Sequence, residues 1–228
     1  MNENLDIFIC AHKDFDNCPN NNIYKICSGE NDLKNEYPID VIHEKENVYT
    51  PIRYSLSNMS RIYYIWKNYQ LKNYIGFVQY NRHFDYTIIN ENLDIDDDTC
   101  IVPERYNLPT NVIIQFANSH NNKDYILCRE LIKYKFNYSE QDISKTENIL
   151  YAHNVFIMTT KRFNDYCNFI FTILDAFISI NNLKTMDDIN TKYYGSQNRI
   201  LGYLSERIGN IYIQHTFNNI IEKHINKQ

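Results

Sequence analysis

Glycine is scarce, with five in 228 residues. That excludes a glycine-rich dinucleotide cradle, and neither G-x-G-x-x-G nor a G-x-x-x-x-G-K-[ST] phosphate loop is present. H-E-x-x-H and G-x-S-x-G are also missing, which removes the zinc-protease helix and the nucleophile elbow. No apolar run reaches the roughly 18 residues of a membrane span. The opening MNENLDIFICAHKDF lacks the basic flank of a signal peptide, so an unexported, cytoplasmic chain without a transmembrane segment is expected. Basic charge is short too: Lys and Arg total 23 against 28 Asp and Glu, for a net charge of −5. A duplex-binding surface is therefore not expected, while a small anion needing two or three local cations remains compatible. The six cysteines form no C-x-x-C pair and read as reduced, mostly buried thiols with no zinc site.

Hydrophobic residues make up 43% of the chain, enough for a globular core at this length. With no repeat and no Gly/Ser/Pro linker, residues 1–228 are expected to form one domain. The 20 tyrosines and 12 phenylalanines follow largely from a drift toward Asn, Ile, Lys and Tyr.

LDIFICAH and NIYKICSG read as strands, and residues 28–54 as a long polar loop. SLSNMSRIYYIWKNY is helical in period, with Ser55 or Ser57 as its cap, and feeds the buried strand YIGFVQY. Beyond the acidic loop INENLDIDDDT come the strand CIVPE, mostly helical residues 111–136 and the strand NVFIMTT. Thr160 is placed at the cap of a long helix whose apolar positions cover most of its circumference. A further helix follows from SQNRILGY, then a short terminal helix. Helices alternating with buried strands predict an α/β fold with a mostly parallel central sheet flanked by helices.

In such sheets ligands bind beyond the carboxyl ends of strands. The first strand ends in His12 and Lys13, the central one in Tyr80, Asn81, Arg82 and His83, and a later one is entered through His153 and Asn154. Arg82 suits two phosphate oxygens and Tyr80 a base or sugar face. The structural alternative pairs Arg82 with Asp85. DIDDD (Asp94, Asp96, Asp97, Asp98) offers an Asp-x-Asp pair for Mg²⁺ or Mn²⁺, or an ordinary solvated loop. Glu206 beside Arg207 is either a proton-transfer group or a buried ion pair, and His120 and His215 read as structural.

The order of these blocks resembles the DUF4422 family, associated with capsule and surface-polysaccharide synthesis. CAHKDF stands where that family has a strand leading into T-H-K. RIYYIWKNYQLKNYIGFVQYNRHFDY follows its W-K-N, Y-I/V-G and H-Y-R-R-x-F blocks. CIVPERY, QFANSH, HNVFIMTTKRFNDYC and RILGYLSERI continue in the family's order, over nearly the whole chain. Two departures stand out: H-Y-R-R reads Gln79-Tyr80-Asn81-Arg82, and the D-x-T-G-D-N-I-S segment is poorly kept.

The resemblance implies a GT-A-type glycosyltransferase, with galactofuranose or related sugars moved by some relatives. It implies a nucleotide-diphosphate sugar donor, first of all a UDP-sugar, and a glycan or lipid-linked glycan acceptor at the membrane surface. On this reading His12 and Lys13 face the nucleotide, Tyr80, Arg82 and Arg199 the diphosphate, and Asn154 the donor sugar. Glu206 or Asp85 is the base. Mn²⁺ or Mg²⁺ dependence stays open, with Asp96 and Asp98 as the candidate ligands. The rivals are a non-catalytic nucleotide or glycan binder on the same scaffold, and a single-strand nucleic-acid binder stacking bases on tyrosines, which the acidic balance disfavours.

Overall fold

The computed structural model describes residues 4–85 and 95–227. Its strands are β1 (Leu5–Ala11), β2 (Tyr24–Gly29), β3 (Val41–Glu44), β4 (Tyr74–Gln79), β5 (Arg82–Phe84), β6 (Thr99–Pro103), β7 (Tyr106–Asn107), β8 (Ile149–Leu150), β9 (Phe156–Thr159), β10 (Asn219–Lys223) and β11 (Ile225–Lys227). Its helices are α1 (Arg53–Leu56), α2 (Met59–Asn68), α3 (Val112–Ala117), α4 (Asn122–Phe136), α5 (Glu140–Ser144), α6 (Thr160–Asn181), α7 (Met186–Lys192) and α8 (Ile200–Thr216).

The main sheet runs β3-β2-β1-β4-β9-β6-β10. Strands β3, β2, β1 and β4 are mutually parallel, β9 is antiparallel to both neighbours, and β10 is parallel to β6. The expected mixed α/β architecture with a mostly parallel sheet is what forms. The chain leaves β1 on one side for β2 and β3, then returns on the other side for β4. This reversal opens a crevice at the carboxyl ends of β1 and β4. Because β9 runs the other way, its entrance through His153 and Asn154 reaches the same edge.

Every residue of β1, β2 and β6 is buried, as continuous apolar runs between two covered faces should be. On one face Phe8, Phe77, Phe156 and Met158 pack against α2, α6 and α8. Helix α6 buries Phe163, Tyr166, Phe169, Ile170, Phe171, Leu174 and Phe177, the deep packing its sequence predicts. Fully burying one such phenylalanine stabilises the fold by about 2–3 kcal/mol. On the opposite face Ile7, Ile9, Ile26, Val78 and Ile157 are covered by loop residues Phe15, Leu33, Tyr37 and Ile39 and by β5 and β11. Among the described residues, the helices thus contribute to one face only.

Five local expectations change. The polar stretch 28–54 contains β3, which pairs with β2. The helix expected from Ser55 onward breaks at Ser57, whose φ of 58° and ψ of −128° lie outside helical space. Neither serine caps α2; Asn58 stands at its start without a side-chain cap bond. Thr159 caps α6 by accepting from the Arg162 N–H, while the Thr160 hydroxyl donates to the Lys72 carbonyl. The terminal segment pairs as β10 with β6 and β11 with β5, because a free sheet edge outweighs the weak helix preference of so short a stretch. All six cysteines are free, and five are buried.

Candidate functional site

Two adjoining lobes open at the carboxyl edge of the sheet. The first, about 340 Å³, is lined by His12, Asp32, Arg53, Tyr54, Ser57, Asn58, Ser60, Arg61 and Arg199. The second, about 270 Å³, is lined by Ser57, Asn58, Gln79, Arg82, His120, His153, Asn154, Arg199, Gly202, Tyr203, Glu206 and Arg207. Ser57, Asn58 and Arg199 belong to both, so the lobes meet at a waist. Together they fall in the size range of a ligand cleft.

The waist is built by segments far apart in sequence. Arg199, at the start of α8, donates from Nη2 to Ser57 Oγ at 2.7 Å. Helix α8 can approach this closely because Gly202 has no side chain. A Cβ there would lie 3.1 Å from Ser57 Cβ and 3.3 Å from the Ser55 carbonyl oxygen. The left-handed turn at Ser57 separates α1 from α2 and puts Arg53 and Arg61 on the wall of the first lobe.

Five of the chain's eight arginines (Arg53, Arg61, Arg82, Arg199 and Arg207) line the two lobes. Arg61 pairs with Asp32 at 2.7 Å and Arg207 with Glu206 at 3.2 Å. Arg53, Arg82 and Arg199 have no carboxylate partner among the described residues. The three arginines outside the cleft are all paired: Arg105 with Glu222, Arg129 with Glu140 and Glu147, and Arg162 with Asp98 and Asp165. Unpaired guanidinium groups are concentrated where the topology leaves a crevice, on a chain whose net charge is −5.

Glu206 sits at the floor of the second lobe, mostly buried, with Oε2 accepting from Arg207 Nη1 and its carboxyl also taking the His153 backbone N–H. Burial pushes its pKa above the ordinary glutamate value, while Arg207, Arg199 and Arg82 pull the other way. His153 and Asn154 have φ of 77° and 52°. Such left-handed conformations cost non-glycine residues about 1–2 kcal/mol each. They are held by Gln79 Nε2, which donates to the His153 carbonyl at 2.6 Å, and by Asn154 Nδ2, which donates to Ser205 Oγ at 3.2 Å. Gln79 Oε1 also accepts from Arg82 Nη1 at 3.1 Å, so one side chain ties Arg82 to the His153 turn. Burial, then Arg82, Lys227 and Arg207, lower the His153 imidazole to about 4, which leaves it neutral at neutral pH. Burial and then Arg61 also lower His12.

Of the residues singled out from sequence, His12, Arg82, Asn154, Arg199 and Glu206 meet in the cleft. Tyr80 and Lys13 flank it: the Tyr80 ring stands edge-on to His12 at 5.0 Å, and Lys13 Nζ lies 5.7 Å from that ring. Asp85 lines neither lobe; its charge is felt by His83 and by Tyr24.

Asp96 and Asp98 precede β6 and so lie at the opposite edge of the sheet. Asp96 Oδ1 accepts from the Asp98 N–H and the Thr99 hydroxyl, and Asp98 faces Arg162. Two carboxylates used this way, at that edge, do not fit a metal beside the cleft. Asp94 lies outside the described residues. Among the described residues no group of three or more His, Cys, Asp or Glu could hold a metal ion.

Arg53, Arg61 and Asp32 are the charged cleft residues that sequence reading missed. One signal was available for Arg61. It is a cation in the first turn of α2, where the helix dipole disfavours positive charge.

Fold and cleft together define a class: a mixed α/β protein with an arginine-lined crevice at its topological switch point. The family model described as "Domain of unknown function (DUF4422)" matches residues 6–218, and the chain belongs to that family. This is the family its ordered sequence blocks resemble. Among solved structures, the apo form of WbbM, described as a bifunctional glycosyltransferase, is similar with a TM-score of 0.75 and 20% identity. The match covers 99% of this chain and 45% of WbbM, so the chain spans less than half of that protein's length and the likeness is one of fold. No curated protein matches the chain.

Proposed function

We propose that the protein is a GT-A-type glycosyltransferase that moves a sugar from a nucleoside diphosphate donor to a hydroxyl of a glycan or lipid-linked glycan. The reading rests on Arg53, Arg82 and Arg199, three guanidinium groups without carboxylate partners among the described residues, gathered in one crevice of an acidic protein. The printed description of WbbM as a glycosyltransferase supports the same reading.

The chemistry follows from the placement. As the bond between sugar and diphosphate breaks, negative charge grows on the leaving group. Arg199 at the waist and Arg82 beside it neutralise that charge, and their planar forks suit phosphate oxygens. With the nucleoside in the His12 lobe, the sugar lies in the Glu206 lobe, where Asn154 is held ready to orient it. Glu206 takes the acceptor hydroxyl proton, and burial brings its basicity closer to that task. A lipid-linked acceptor places the work at the cytoplasmic membrane surface. Among the described residues no helix is long and apolar enough to cross a membrane.

A thermal-shift series with UDP-, GDP-, TDP- and CMP-sugars, with and without Mn²⁺ and excess chelator, tests the reading. A bound donor at about 100 times its Kd raises the melting temperature by roughly 5–10 °C in a chain of this size. Release of free sugar from the binding donor then separates a transferase from a non-catalytic binder. If no nucleotide sugar shifts the melt, the reading fails.

A further inference from the structure

Beyond the carboxyl end of β2 the chain makes a tight turn that sets one carboxylate in the first lobe. The Asp32 N–H donates to the Gly29 carbonyl at 3.2 Å, and the Gly29 N–H donates back to Asp32 Oδ2 at 2.8 Å. A Cβ at Gly29 would lie 2.7 Å from that oxygen, so a side chain there would push the carboxylate out of this position. Arg61 Nη2 donates to the same Oδ2 at 2.7 Å. Both anchors fall on one oxygen, and Oδ1 accepts no hydrogen bond from the described residues. An ion pair alone would account for Arg61. It does not account for a carboxylate locked by its own turn on the cavity wall with one oxygen unused.

The topology gives that oxygen a task. The order β3-β2-β1-β4 is that of one half of a doubly wound nucleotide-binding sheet. In such sheets an acidic residue about 20 positions past the first strand's turn meets the ribose hydroxyls. Asp32 stands at that place relative to His12. With phosphates at the Arg199 waist, a nucleoside extends along the first lobe toward Asp32, and Tyr54, 59% exposed on the lobe wall, offers its ring to the base.

Resting on the nucleotide-donor reading above, we infer that Asp32 reads the ribose. Its Oδ1 accepts from the vicinal 2′- and 3′-hydroxyls, so the site takes ribonucleoside diphosphate donors and discriminates against 2′-deoxyribonucleoside ones. A 2′-deoxy nucleotide keeps its 3′-hydroxyl but would cover the carboxylate while supplying only one of its two donors, and a site built to hydrogen-bond a hydroxyl rejects the analogue that lacks it.

Calorimetric titration of the full chain with UDP, GDP and ADP, each beside its 2′-deoxy form, tests this. The nucleotide that binds should do so about tenfold or more tighter as the ribo form, the loss expected for one hydrogen bond to a charged group. Asp32→Asn should bring the two forms close to equal. Equal affinities in the unaltered protein would overturn the proposal and leave the nucleotide reading intact. Binding by none of the six would overturn the ribose proposal, and together with a silent thermal-shift series it would overturn the nucleotide reading as well. A preference undiminished in Asp32→Asn would remove Asp32 as the reader. Should that variant fail to fold, the ribo-to-deoxy ratio of the unaltered protein still decides.

Discussion

The two edges of the central sheet handle charge in opposite ways. At the amino edge, Asp6 meets Lys25 at 2.9 Å and Lys72 at 3.1 Å, Asp97 meets Lys161 at 2.6 Å, and Arg162 lies against Asp98. Cation and carboxylate are matched there, and the result is structure. At the carboxyl edge Arg53, Arg82 and Arg199 face a crevice without carboxylate partners among the described residues. Unmatched like charges repel one another and stabilise nothing by themselves. Their grouping makes sense when a mobile anion completes the balance. Changes at the carboxyl edge should therefore alter turnover, and changes at the amino edge should alter stability.

The largest effect expected is that of Glu206→Gln, a fall in kcat of about 10³ with little change in melting temperature. The pH profile checks its sign. Because burial raises this carboxyl above the 4.5 of an ordinary glutamate, the active ionised form appears as pH rises through the raised value. The acid limb should lie above that of an exposed carboxylate, and the residual activity of Glu206→Gln should lack it.

Next comes a test of the amino edge. Asp6 is 1% exposed, so Asp6→Ala leaves Lys25 buried with its main partner gone. It should cost about 3 kcal/mol in denaturant unfolding while KM for the donor stays unchanged. Arg82→Ala and Arg199→Ala should each lower kcat/KM about 10²-fold, with melting temperatures nearly unchanged, as for the loss of one donor to a developing negative charge. A large melting loss in Arg82→Ala would instead mean that Arg82 is structural, which would erase the contrast between the edges.

Gly202→Ala tests the waist itself. The added methyl presses on Ser57 and the Ser55 carbonyl and should cost about 1–3 kcal/mol, with a rise in donor KM because Arg199 is displaced. The smallest effect belongs to Lys161→Ala, a surface pair change that should lower the melting temperature by no more than about 3 °C and leave turnover alone. Asp97, the partner of Lys161, has its pKa lowered by that lysine and by Thr159. The pair's contribution is therefore present above the ordinary aspartate value of 3.8 and is lost as pH falls through the lowered one.

Much of the fold is legible in the residues alone. Apolar runs such as LDIFICA and YIGFVQ bury themselves wherever they lie, and the broad apolar circumference of TKRFNDYCNFIFTILDAFISIN demands a deep position. Strand ends then mark His12 and Arg82 as neighbours once the sheet is taken as parallel, whereas Asn154 joins them only because β9 runs antiparallel to β4. The tail was not legible, because the edge of β6 that turns NIIEK into a strand lies far back in the chain.

By itself the sequence determined the layers and the edge on which a site would open, since hydrophobic burial and strand direction follow from local pattern. Only the tertiary structure decided which cations stay unpaired, which carboxylate joins them and where the waist falls. Arg199 meets Ser57 across 142 residues, and Arg61 meets Asp32 across 29. Charge pairing is a contact between side chains brought together by folding, and one-dimensional spacing does not encode it.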